Sequence, residues 1–327
     1  MLKNKGKIMS ARTKMPSNKV MVGIIQASPV FSDLEASLAK AVDYIERAAR
    51  EGVNLVAFGE TWLPGYPAWL DHCPGAALWN HEPTKETFAR LRRNSIVVPG
   101  RETEQLAQAA RELRVSIVIG VNERVEHGAG NGTLYNSQLI FNSDGVLAVH
   151  HRKLVPTYTE RLVWGQGDGK GLAAVQTASG RVGSLVCWEH WMPLARQAMH
   201  ESGEHIHVAV FPEVHEMHQI TSRHYAFEGR CFVLAVGLLM RVRDLPAGLT
   251  KTAALADTPD ALILRGGSSI IAPNGSFVVE PVFDEERIIT ATLDLDSIDR
   301  ERMTLDVTGH YARPDVFDFS VRSGGEQ

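Results

Sequence analysis

Three residues of complementary chemistry stand where short apolar runs break off: Glu60, Lys153 and Cys187. Val182–Val186 is an apolar stretch of strand type that stops at Cys187; Trp188-Glu189-His190-Trp191 follow, and Pro193 then opens a helical pattern. A thiol at the carboxyl end of a buried strand, just ahead of a helix, is rigidly held. It also faces the crevice where open α/β sheets place their reactive groups. Glu60 directly follows Leu55-Val56-Ala57-Phe58-Gly59. A carboxylate at the mouth of a buried strand is desolvated on one side, which raises its pKa and suits it to act as a base near neutral pH. Lys153 ends the run that begins at Val146, and a cation there can offset negative charge developing on a substrate atom. A free cysteine is only slightly ionised at neutral pH, so a nucleophilic Cys187 needs Glu60 to take its proton and Lys153 to offset the charge. Each residue alone also has a plain structural reading: a packed thiol, a solvated glutamate, an edge-strand lysine.

Composition sets the class of molecule that carries these groups. A chain of 327 residues, 44% of them hydrophobic, can build one large core or two smaller ones. A net charge of −4 gives no general attraction to nucleic acid or an anionic membrane, and no apolar run is long enough to span a bilayer. The three cysteines, Cys73, Cys187 and Cys231, are an odd number with no CxxC spacing. Neither a disulfide framework nor a zinc site is suggested, and the cytoplasm is the expected compartment. His150, His151, His205, His207, His215, His218 and His224 show no HExxH arrangement, so no metal is expected. Residues 1–19 are basic, without acidic residues or the apolar stretch of a secretory signal. They are expected to form a flexible tail, with Met9 as an alternative start and a transit peptide as the weaker reading.

The elements that must position the three residues alternate between strand and helix. Val20–Gln26 is a near-continuous apolar run, as a strand covered on both faces requires. Ser32-x-x-Glu35 gives a capping-box pattern, Leu34, Leu38, Ala41, Val42, Ile45, Ala48 and Ala49 share a helical face, and Gly52 is placed to end that helix. Leu55–Phe58 is a second strand; Thr103–Leu113 (helix) and Ser116–Gly120 (strand) follow. Three hairpins are expected about Ser143-Asp144-Gly145, Ala178-Ser179-Gly180 and Pro273-Asn274-Gly275. Helices over Pro193–Ser202 and around Thr221–Gly229, and strands over His207–Phe211, Phe232–Gly237 and Ile288–Leu293, complete the order. Arg243–Arg265 is the least patterned interior stretch, either a mobile loop or an ordinary surface excursion. No linker-like break interrupts residues 20–310. One domain of two mixed sheets packed face to face, with helices outside each, satisfies this order.

With those contexts assembled, the sequence resembles the nitrilase (carbon–nitrogen hydrolase) superfamily over roughly Val20 to Phe317. The resemblance rests on Glu60, Lys153 and Cys187 in that order and on the run Cys187-Trp188-Glu189-His190. Gly120-Val121-Asn122-Glu123-Arg124, Thr159 through Gly169, and Gly309-His310-Tyr311-Ala312-Arg313-Pro314-Asp315 add to it. It implies a four-layer αββα sandwich, a Glu60–Lys153–Cys187 triad, and Glu160 as a second glutamate that places the substrate and the lysine. It implies hydrolysis of a small-molecule nitrile to the acid and ammonia through a cysteine thioimidate and thioester, with no metal or organic cofactor. It also implies self-association into dimers and spiral oligomers, in which residues 311–327 are expected to take part. Trp188, Tyr66, His190, Trp62 and Trp164 are candidate oxyanion or pocket residues, because apolar substrates need aromatic surface; core packing is an equal reading for Trp62 and Trp164. An amidase or carbamoylase could use the same triad, and Trp188-Glu189-His190 favours a nitrile. Cyanide hydratases and dihydratases share that segment, and a non-enzyme with a merely packed Cys187 is the remaining alternative. Which nitrile is accepted depends on a few loop residues and leaves no motif.

Overall fold

Apolar runs and amphipathic helices alternate along the chain because the central strands are covered twice, by a second sheet on one face and by helices on the other. A computed structural model describes residues 18–322; most of the expected basic tail over 1–19 and the end of the C-terminal segment lie outside the described residues. In chain order the elements are β1 (Lys19–Gln26), α1 (Leu34–Arg50), β2 (Leu55–Phe58), α2 (Trp69–His72), α3 (Glu82–Arg93), α4 (Arg101–Leu113), β3 (Ser116–Arg124), β4 (Leu134–Phe141), β5 (Leu147–Arg152), β6 (Val175–Thr177), β7 (Gly180–Val186), α5 (Pro193–Glu201), β8 (Ile206–Val210), α6 (Glu216–Gly229), β9 (Phe232–Val236), β10 (Leu239–Arg241), β11 (Leu262–Ile271), β12 (Phe277–Phe283), β13 (Arg287–Asp294) and α7 (Asp296–Arg302).

The first sheet runs β13-β1-β2-β3-β4-β5 and the second β10-β11-β9-β8-β7-β6, with β12 paired to β11. Each is mixed in the same way: three parallel strands, β1-β2-β3 in one and β7-β8-β9 in the other, are flanked by antiparallel partners. Alternation along the strands sorts their side chains. Val22, Ile24, Leu55, Ala57, Val118 and Ile140 of the first sheet share a core with Val182, Val186, Val208, Leu234 and Ile270 of the second. On the outer face of the first sheet, Val56, Phe58, Ile117, Ile119 and Phe141 pack against Leu38, Ala41, Ile45, Leu106 and Ala110 of α1 and α4. Ala195, Met199, Tyr225 and Ala226 of α5 and α6 back the second sheet. The four layers are therefore helix, sheet, sheet, helix.

Local differences from the sequence reading have local causes. The α1 cap is Asp33, one residue after the expected Ser32; its side chain accepts from the Ala36 N–H at 3.0 Å. The helix α3 carries a charged sequence with only Leu91 buried, and α7 buries only Ile298, so neither shows an apolar period strong enough to read. Between Arg243 and Arg265 the chain is an ordered excursion that ends in β11, anchored in the core by Leu245 and Leu249.

Candidate active site

Glu60 leaves the carboxyl end of β2 at a crowded turn. A Cβ on Gly120 of β3 would lie 2.4 Å from both the Gly59 carbonyl and the Thr61 nitrogen, so only glycine lets this turn cross the strand. The Leu63 N–H donates to the Gly120 carbonyl at 3.1 Å and locks the crossing. Lys153 follows β5 immediately, its N–H bonded to the Asn136 carbonyl on β4 at 2.8 Å. Cys187 follows β7 and heads a short 3₁₀ turn over Cys187–Trp191. Its φ of 52° lies in the left-handed region, an uncommon conformation for a residue with a side chain, found most often where structure serves function.

These three strand ends converge. The Lys153 Nζ donates to Glu60 Oε1 at 3.0 Å and to Glu160 Oε2 at 2.6 Å, and all three side chains are buried. Asn136 Nδ2 donates to the same Glu60 oxygen at 2.6 Å, whereas Glu60 Oε2 has no hydrogen-bond partner among the described residues. Glu160 is held in turn: Oε2 also accepts the Thr157 N–H at 2.7 Å, and Oε1 accepts the Tyr66 hydroxyl at 2.9 Å.

The electrostatics follow from burial. Burial raises the Glu60 carboxyl to about 7, with Lys153 opposing and Glu160 adding to the rise. Burial also pushes the Cys187 thiol well above its ordinary range; Glu60 adds to this, while Lys153 and the Trp188 N–H pull it back. Burial draws the Lys153 ammonium down, but Glu60, Cys187 and Glu160 outweigh it and keep the group charged. The cluster therefore holds a thiol that resists ionisation, a cation, and a carboxyl whose proton affinity burial has raised. This arrangement can move one proton from sulfur to carboxylate while the lysine stabilises developing negative charge.

The remaining expected residues divide. Tyr66 contacts the cluster through Glu160. The Trp164 ring lies 5.8 Å from Tyr66, and its indole N–H donates to Asn122 Oδ1 at 2.9 Å. Trp188 is 56% exposed beside Trp191 and offers open aromatic surface at the Cys187 turn. Trp62 instead sits in the core, its N–H on the Ala27 carbonyl and its ring edge-on to Phe58. His190 turns behind Cys187: Nδ1 lies 2.7 Å from the Cys187 carbonyl and Nε2 2.9 Å from His207. Among the described residues no group of three or more His, Cys, Asp or Glu is placed to hold a metal.

Two residues that sequence reasoning passed over join the site together. Asn136 fixes Lys153 by its backbone and Glu60 by its side chain. Glu189, fully buried, accepts the Val186 N–H at 2.7 Å, the Leu154 N–H at 2.8 Å and His151 Nε2 at 3.0 Å. It thus bolts the end of β7 to the loop that follows Lys153. The signal for Glu189 was its place two residues after Cys187; Asn136 carried no signal beyond lying at the start of a strand.

Comparison with known proteins gives the family and the fold. The carbon-nitrogen hydrolase family model matches residues 21–302. An aliphatic nitrilase of Sinorhizobium fredii is 43% identical, over 93% of this chain and 96% of that protein. A bifunctional nitrilase/nitrile hydratase of Nicotiana tabacum is 38% identical, over 93% of this chain and 86% of that protein. Among solved structures, a carbon-nitrogen hydrolase from Helicobacter pylori superposes with a TM-score of 0.66 at 20% identity, covering 91% of this chain and 97% of that one. Nit3 of Saccharomyces cerevisiae gives 0.66 at 20% identity, over 90% and 96%.

Proposed function

The chain belongs to the carbon-nitrogen hydrolase family, and from that premise we propose that residues 20–310 act as one catalytic domain hydrolysing an organic nitrile to its carboxylic acid and ammonia. The observation that carries the reading is the buried ammonium of Lys153 bonded to both Glu60 and Glu160 beside the left-handed turn at Cys187. Glu60 takes the thiol proton through its unpartnered oxygen as sulfur adds to the nitrile carbon, and returns that proton to the nitrile nitrogen, leaving a thioimidate. Water adds to the thioimidate with further proton transfer through Glu60; ammonia departs and a thioester remains. A second water, deprotonated by Glu60, displaces the thiol and frees the acid. Lys153 and the Trp188 N–H stabilise the negative charge that develops at each addition. Glu160 holds Lys153, and Tyr66 holds Glu160. No residue in this scheme calls for a metal or organic cofactor.

Trp188 and the Tyr66–Trp164 pair serve as aromatic surface for the substrate in this reading. Two copies of the chain associate in it, and three free cysteines favour the cytoplasm as its place of work. A panel of aliphatic, aromatic and arylacetonitriles, the matching amides, and cyanide tests the proposal when ammonia, acid and amide are measured together. Ammonia and acid from a nitrile in equal amounts support it. Turnover of amides or cyanide alone overturns it in favour of an amidase or a cyanide-degrading enzyme.

A further inference from the structure

Behind the nucleophile, on the helix-covered side of the second sheet, lies a buried polar chain that the reaction above does not use. Starting from the Cys187 carbonyl, His190 Nδ1 follows at 2.7 Å, and His190 Nε2 faces His207 Nε2 at 2.9 Å. His207 Nδ1 then meets Glu204 Oε1 at 2.7 Å, and the Tyr225 hydroxyl donates to Glu204 Oε2 at 2.6 Å. His190, His207, Glu204 and Tyr225 are each at most 2% exposed, and Tyr225 stacks on the His207 ring at 3.9 Å. Unmatched polar groups in such a place are costly, and fully satisfied polar networks hold their members in one arrangement.

The hydrogen-bond roles follow from the first link, assigned from the network rather than seen. A carbonyl only accepts, so His190 must carry its proton on Nδ1. Burial, with the neighbouring His207, holds this ring neutral, which leaves Nε2 as an acceptor. His207 must then donate from its own Nε2, and one further proton lies between its Nδ1 and Glu204. Glu204 and Tyr225 thereby fix the orientation of His207, His207 fixes His190, and His190 grips the carbonyl of Cys187, whose own backbone is left-handed.

We infer that His190, His207 and Glu204 are positioning residues that hold the Cys187 backbone from behind, so that the thiol points at Glu60 and Lys153. The inference rests on the reading of Cys187 as nucleophile.

Substitution at His190 separates this role from simple packing. Asparagine places an amide N–H where Nδ1 stood and keeps the bond to the Cys187 carbonyl, but leaves volume empty. Leucine fills the volume and loses the bond. Positioning predicts that H190N keeps kcat and the rate of Cys187 alkylation by iodoacetamide within about threefold of the parent. It predicts that H190L loses about 10- to 100-fold of both with KM little changed, the usual cost of a misplaced reacting group. H190L matching or exceeding H190N would overturn the inference. E204Q should behave like the parent, because its amide can donate to His207 and accept from Tyr225, whereas E204L should not. If H190L fails to fold, ¹⁵N spectra of histidine-labelled parent protein decide: a His190 ring protonated at Nδ1 supports the chain, and one protonated at Nε2 refutes it. C187A is the control on the underlying reading. Ammonia release surviving in C187A sinks the functional proposal, whereas a dead C187A with leucine better than asparagine at position 190 sinks only the positioning role.

Discussion

Cys187 is a thiol in a setting that resists its ionisation, and the proposed reaction therefore needs Glu60 as a base rather than a spectator. Burial and the two glutamates keep the sulfur protonated at rest, so the proton leaves only when an acceptor whose own proton affinity is raised stands beside it. Glu60, raised to about 7, is such an acceptor, and it works only when deprotonated. The sign follows: kcat/KM for a nitrile without titratable groups should climb as pH rises through about 7 and level off above it. A profile already flat from pH 5 to 8 would remove Glu60 from the base role. Replacing Cys187 by alanine should abolish turnover with the fold intact, while replacing Cys73 or Cys231 should leave the chemistry in place. The two glutamates should part company under conservative change. A glutamine at 60 cannot accept the proton, and loss of about 10²- to 10⁴-fold in rate is expected. A glutamine at 160 can still accept Lys153 and the Thr157 N–H through its oxygen, while its amide donates to a rotated Tyr66 hydroxyl. Intact mass after mixing with a nitrile is the measurement: an adduct on Cys187 is expected in Glu160→Gln and not in Glu60→Gln, and the reverse would exchange their roles.

The site exists only because separate elements end together, and the fastening between them is testable apart from the chemistry. Glu189 accepts two backbone N–H groups on two different oxygens, one from the end of β7 and one from the loop after β5. Burial would raise its pKa, but His151 and those N–H groups overcome this and lower it. The isosteric Glu189→Gln is therefore not conservative: one amide NH₂ would face a buried N–H, and a loss of about 1–3 kcal/mol is expected, read as a lower midpoint in urea unfolding. Unchanged stability would mean that the loop and strand are held by other means. Much of this frame was legible beforehand, for physical reasons. Strands such as Leu55–Phe58 are buried on both faces, so their apolar runs stop where the polar site starts, and Glu60, Lys153 and Cys187 stand out at the breaks. Glu160 entered only through family resemblance, because a loop glutamate has no periodicity to mark it. Asn136 and His190 escaped correct placement because their partners, Glu60 at 76 positions' distance and His207 at 17, are set by sheet pairing and not by local spacing. The charged helix α3 escaped for the opposite reason, having almost nothing to bury.

At the scale of the whole molecule, the outer surface of the second helical layer is not that of a helix meant to face water. Leu194 on α5 and Met217, Ile220 and Phe227 on α6 are all substantially exposed, and positions 217, 220 and 227 recur at spacings that put them on one side of α6. Solvent-facing helix surfaces are ordinarily polar, and exposed apolar side chains along one helix face suit an interface. The resemblance to a family whose members pair makes a second copy of the chain the occupant expected here, with the nucleophile's turn leading directly into α5 so that pairing would stiffen the frame behind Cys187. Tyr311, Val316 and Phe317 form a separate exposed apolar segment near the C-terminus, suited to extend a dimer into larger assemblies. Sedimentation at micromolar concentration should therefore show a dimer or larger. Changing Met217 and Ile220 together to lysine should yield monomer with unaltered circular dichroism, because two buried like charges would oppose themselves across a twofold contact. Truncation after Arg313 should leave the dimer and remove the larger species. A parent protein that sediments as a monomer would refute the pairing. Assembly that survives the lysine pair but not the truncation would move the primary contact from α6 to the C-terminal segment.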